Sequence, residues 1–113
     1  MGNRANIITE YVCNYGQQYF NWAADEVHQM LKDNEVDVWT ANDHDLYCRW
    51  EIDVESFKEY LQQLEQLPPD DIHENFKKHD DCKEYTNQAV LNDLKEWLPF
   101  EDTRDSIIRL DWF

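Results

Sequence analysis

Glycine and proline are scarce in this chain, with two glycines and three prolines in 113 residues. That composition excludes linker-like and low-complexity architectures, and two glycines cannot build the Gly-rich loop that cradles a phosphate. Serine is equally rare: Ser56 and Ser106 are the only two, and neither lies in a nucleophile elbow. No H-E-x-x-H pattern occurs. Enzymatic activity is therefore not expected, and acid pairs such as Glu55 and Glu59 arise by chance in a chain this acidic.

Positive charge is the next shortage. Ten Lys and Arg stand against 25 Asp and Glu, giving a formal net charge of -15 and a pI near 4.3. Small soluble domains are comfortable with an imbalance of roughly 2 to 8 charges, so solubility does not account for the excess. Nucleic acid and anionic membrane would both repel such a surface. A basic protein is the partner that the charge favours.

Long apolar runs are missing too, so neither a signal peptide nor a spanning helix is expected. Cys13, Cys48 and Cys82 are odd in number and widely spaced, which argues against a disulfide framework and for a reducing, cytoplasmic setting. The start MGNRAN offers Met-Gly but carries Asn6 where lipidation wants Ser or Thr. His79 with Cys82, and His44 with Cys48, are each too few for a zinc site. The stretch NDHDLYCRWE lacks the glycine and glutamate of a calcium loop. No metal and no cofactor is expected.

Against these absences stand 42% hydrophobic and 14% aromatic residues, enough for one modest core. A single domain over residues 1–113 follows. Thr9 offers a cap, and Val12, Gly16, Tyr19/Phe20, Ala23, Val27 and Met30/Leu31 recur at helical spacing, predicting a long first helix. Gly16 inside it leaves an alternative, a short strand near residues 4–12 with a turn at NYG. Under either reading residues 17–32 are expected to be helical.

Segments 36–41 and 46–52 are rich in β-branched and aromatic residues, and NDHD between them is turn chemistry. They predict a hairpin with Leu46, Cys48, Trp50 and Ile52 inward and Tyr47, Arg49 and Glu51 outward. Asp53 caps a helix carrying Val54, Phe57, Tyr60/Leu61, Leu64 and Leu67, stopped by Pro68-Pro69. DIHE at 71–74 reads as a capping box opening a short polar helix anchored by Ile72 and Phe76. Thr86 or Asn87 caps a last helix with Val90, Leu91, Leu94, Trp97 and Leu98, and residues 106–113 alternate as a final strand. The expected fold is α+β: a three- or four-stranded antiparallel sheet, built on the hairpin and the C-terminal strand and covered by helices on one face.

Between Asp33 and Phe57 there are eight acids and one base, Arg49. Carboxylates one helical turn apart have Cβ atoms about 5–6 Å apart, the order of the spacing of neighbouring phosphates on a strand. A rigid acidic surface of this kind can occupy the Lys/Arg groove of a nucleic-acid-binding protein. The candidate partner-binding residues are Asp37, Asp43, Asp45, Glu51, Asp53, Glu55, Glu59, Asp70, Asp71 and Glu74, followed by Asp80 and Asp81. Trp39 and Tyr47, on the expected outer sheet face, are candidate anchors. Tyr11, Tyr15, Tyr19 and Trp22 form a stripe near helical spacing that reads either as core edge or as a second patch.

In size, charge, cysteine usage and element pattern the whole chain resembles the small acidic inhibitors of phages and mobile elements, the anti-CRISPR and anti-restriction proteins. The resemblance implies binding to a nuclease or surveillance complex at its PAM, guide or DNA groove. Two other readings stand beside it: an immunity protein that neutralises a basic nuclease toxin, and an acidic adaptor or phage accessory protein.

Overall fold

A computed structural model describes residues 4–9, 12–20, 23–42, 44–77 and 84–112. Alternation at the C-terminal end sets the architecture. β5 is Ile107–Trp112, and its residues Ile108, Leu110 and Trp112 are buried while the intervening ones are not. β4, Arg49–Asp53, lies antiparallel to β5, with Trp50 opposite Leu110 and Ile52 opposite Ile108. β3, Val38–Thr40, lies antiparallel to β4, with Val38 opposite Ile52. These three strands are the antiparallel sheet expected from the sequence, although the hairpin strands are shorter than 36–41 and 46–52.

The N-terminal region departs from the helix predicted there. It forms β1, Ala5–Thr9, and β2, Val12–Tyr19, an antiparallel pair with an irregularity between Asn6 and Ile8. β1 also pairs with β5, Ala5 facing Trp112, so the full sheet has five strands in the order β2-β1-β5-β4-β3. The β-branched and aromatic residues of IITEYV suit a pleated strand better than a helix. Helix α1 begins only at Ala24 and runs to Asp33. Residues 17–19 are therefore strand, and Tyr15 and Tyr19 of the expected helical stripe lie on β2; Tyr11 and Trp22 lie outside the described residues.

The strand leaves β2 through Phe20, which takes a positive φ of 52° and is buried. Its ring meets Phe76 at 5.9 Å, Tyr85 at 5.6 Å and Trp97 at 5.8 Å. α1 ends in the hydrogen bonds Val36 N–H to Leu31 O and Glu35 N–H to Lys32 O, with Glu35 at φ 61°. This is the Schellman termination, and it normally recruits glycine at the left-handed position.

α2, Val54–Leu64, starts as its sequence requires: the Asp53 carboxylate accepts from Ser56 N–H at 2.9 Å. Leu67 lies beyond the helix and is exposed. Residues 71–74 are not a capping box. His73 is the cap instead, its Nδ1 accepting from Asn75 N–H at 3.1 Å, and among the described residues the expected polar helix is represented by the 3-10 turn Glu74–Phe76. α3, Asn87–Lys95, is capped by Thr86, whose Oγ1 accepts from Ala89 N–H. Another 3-10 turn, Leu98–Phe100, leads to β5.

Val27, Met30 and Leu31 of α1, Phe57, Leu61 and Leu64 of α2, and Val90 and Leu94 of α3 share one core with Trp50, Ile52, Ile108 and Leu110. The helices thus cover one face of the sheet. Truncating fully buried Trp50 to alanine would remove roughly 3–5 kcal/mol, a large share of the 5–15 kcal/mol typical of a whole domain. The opposite face carries Trp39, Glu51 and Arg109 in one cross-strand row and Arg49 and Asp111 in the next. Among the described residues no helix is long and apolar enough to cross a membrane.

Candidate functional site

The acidic residues divide into those that build the fold and those that face water alone. Glu51 belongs to the first group. Arg109, opposite it on β5, donates to its carboxylate at 2.9 Å and also reaches Asp102 at 3.2 Å and Asp105 at 2.7 Å. Asp105 foremost, and then Glu51, raise the Arg109 pKa against a lowering by burial. Hydrogen bonds from the Arg104 side chain and N–H, with help from Arg109, hold the Asp102 carboxyl well below the usual carboxylate range. Arg49 and Asp111 form a second pair at 3.2 Å. The uncovered sheet face is therefore a lattice of three arginines and four carboxylates.

Asp53 is likewise structural, because its side chain caps α2. Asp45 holds the loop: its Oδ1 accepts from Tyr47 N–H at 3.0 Å, as Asn42 Oδ1 accepts from His44 N–H at 2.9 Å. The turn chemistry of NDHD is present, although Asp43 lies outside the described residues, as do Asp80, Asp81, His79 and Cys82. The Trp50 indole donates to Leu46 O at 2.8 Å and pins this loop to the core. Leu46 and Cys48 are therefore half-buried loop residues, not inward strand residues. Tyr47 is not on the outer face either; it packs edge-on against Trp112 at 6.1 Å. Trp39 is exposed, at 54%.

The second group centres on α2. Asp37 N–H donates to Ser56 Oγ at 3.0 Å, and Asp37 O accepts from Asp53 N–H at 2.9 Å. This backbone knot sets the exposed Asp37 carboxylate beside the first turn of α2, where Glu55 is also exposed. Glu59 follows one turn later on the same stripe. Among the described residues none of these three carboxylates has an ion pair. Asp70 and Asp71 sit beyond the far end of the helix, roughly 15 Å away by helical rise. There the Asn87 side chain donates to Pro68 O and Asn87 N–H to Asp71 O, both at 2.8 Å. Their charges thereby lie near the N-terminus of α3, a position favoured by the helix dipole. Glu74 is exposed on its 3-10 turn. The structure thus joins Asp37, Glu55 and Glu59, and separates them from Asp70 and Asp71.

Two features had no counterpart in the sequence reading. A half-open groove of about 270 Å³ runs beside β3, lined by His28, Lys32, Val38, Trp39, Thr40 and Leu46. Burial first, and then Lys32, lowers the His28 pKa against the pull of Asp25. The other is Asp93 on α3, whose pKa is raised to about 6 by burial and by Glu96 and Glu84. Among the described residues no group of three or more His, Cys, Asp or Glu side chains is placed to hold a metal ion.

No protein-family model matches the chain, no curated protein is detectably similar to it, and no solved structure matches it.

Proposed function

We propose that this protein binds and inhibits a basic nucleic-acid-binding protein, of the CRISPR-effector or restriction-nuclease kind, by presenting carboxylates in place of phosphates. The observation that supports the reading is the partition of charge. Three of the ten basic residues are engaged on the open sheet face, whereas Asp37 stands exposed beside the first turn of α2, and Glu55 and Glu59 stand exposed on its first two turns. The helix and the Asp37 N–H to Ser56 Oγ bond fix the backbone that carries these carboxylates, so a cationic groove meets charges at set spacings. The protein acts by binding and not by catalysis, in the cytoplasm of the host, and needs no cofactor.

The test is capture of the partner from host lysate at low and high salt, with DNA as competitor. A basic nucleic-acid-binding protein that elutes with salt and is displaced by DNA is the expected result. Converting Asp37, Glu55 and Glu59 together to Lys is expected to weaken capture by about a hundredfold, since each lost charge contact costs of order 1 kcal/mol, with an unchanged circular dichroism spectrum. A tight, salt-insensitive partner with no nucleic-acid groove would sink the proposal. Capture of a nuclease toxin encoded beside the protein would favour the immunity reading instead.

A further inference from the structure

The sheet ends at β3, and the register fixes which of its backbone groups face outward. Asp37 O accepts from Asp53 N–H and Ala41 N–H donates to Arg49 O, so Asp37, Trp39 and Ala41 turn their main chain toward β4. Val38, between them, turns its N–H and C=O away from the sheet. An outward backbone of this sort is a template for another strand. Among the described residues the Val38 carbonyl accepts only from the Lys32 ammonium, at a long 3.4 Å. The groove bounded by α1 and Leu46 runs along this same edge.

We propose that the β3 edge takes an extended segment of the basic partner as a sixth strand, displacing Lys32 from Val38. This rests on the binding function proposed above and names how the partner is held. Charge decides the occupant. Residues 35–45 hold four acids and no Lys or Arg. Asp37 and Trp39 share the outer face by strand parity, both exposed. A lysine or arginine of the incoming strand would meet the Asp37 carboxylate and lie on the Trp39 indole. Its neighbours in sequence would point to the other side, into the groove against Val38 and Leu46. Lys32 in that wall disfavours a cation there, so the fitting segment alternates basic and apolar residues. A second copy of this chain is disfavoured, because its own four acids would face these four.

The experiment uses amide NMR of the whole chain at low salt with a peptide of about six residues alternating lysine and valine. A second peptide carries N-methyl groups on alternate backbone nitrogens. The expected result is shifts centred on Val38, Trp39, Thr40 and Lys32, and an affinity at least about tenfold weaker for the N-methylated peptide. Val38→Pro, which removes an N–H that the sheet does not use, is expected to weaken binding by a similar factor while leaving the spectrum folded. Equal binding of both peptides, or shifts confined to α2, overturns strand addition while leaving the acidic-surface function standing. No shift anywhere overturns both.

Discussion

Arg109 on β5 and Glu51 on β4 face each other across the ladder and close an ion pair of 2.9 Å. That contact removes Glu51 from the set of carboxylates available to a partner. It also places three acids around one guanidinium, so the arginine is the keystone of the open face.

Replacing Arg109 with leucine is expected to destabilise the fold more than replacing Glu51 with glutamine, because it leaves three carboxylates facing one another. Half-exposed pairs of this kind couple by about 0.5–1 kcal/mol. A double-mutant cycle on Arg109 and Glu51, read by urea unfolding, checks the value. The coupling should shrink as salt is raised.

His73 gives the fold a dependence on acid. The imidazole is buried, its Nδ1 accepts from Asn75 N–H, and its Nε2 lies 2.8 Å from the Tyr60 hydroxyl. Nε2 therefore carries the ring proton, and a second proton on Nδ1 would face a donor. Burial lowers the His73 pKa below 6.5, against a raising influence from Glu74. The unfolded chain thus takes up a proton near 6.5 that the native ring refuses, and stability falls as pH drops through that window. Unfolding midpoints compared at about pH 7.5 and pH 5.5 should show a smaller loss for His73→Gln than for the parent protein, by the linkage at this one site.

Asp93 acts in the opposite direction. Its native pKa of about 6 exceeds the ordinary 3.8, so the stability present below pH 3.8 is lost as pH rises through 6. Asp93→Asn removes the cost of ionising beside Glu84 and Glu96. Because Asp93 is partly exposed, solvent screens the effect to about 1 kcal/mol of stabilisation near pH 8. Little gain should remain near pH 4, and urea titrations at the two pH values check the difference.

Glu35 holds a left-handed conformation at φ 61°. Glu35→Gly relieves the Cβ clash at that position, and the expected gain is about 0.5–1 kcal/mol. Thermal unfolding reads it. A loss of stability would mean that the Glu35 side chain holds more than its backbone strain costs.

Much of the fold was legible where local chemistry and burial agree. Asp53 and Thr86 are caps on sequence grounds and in space, and the alternation of Ile108, Leu110 and Trp112 identified β5 because one face of it is wholly buried. The N-terminal region stayed open between a long helix and a strand near residues 4–12 because Val12, Gly16, Tyr19 and Ala23 match a helical period while their β-branched neighbours favour strands; pairing with β5, about a hundred residues away, decides for the strand Ala5–Thr9, and β2 had no counterpart in either reading. The site was legible only as a charge. Which carboxylates remain solitary depends on register: nothing local to Glu51 announces Arg109, and nothing local to Tyr47 announces Trp112. Asp37, Glu55 and Glu59 were among the expected residues, but so were Glu51 and Asp53, and only long-range geometry separates the two kinds.

β1 is an interior strand solely because β5 pairs with it on one side. Without Ile107–Trp112 the sheet falls into two separate two-stranded ribbons, β2-β1 and β4-β3, each too small to persist alone in water. Assembly of the whole sheet therefore turns on a long-range pairing, in which β5 joins β1 to β4. Such a closure is slow relative to local helix formation, and until it occurs the inner edges of β1 and β4 are open to any other strand nearby.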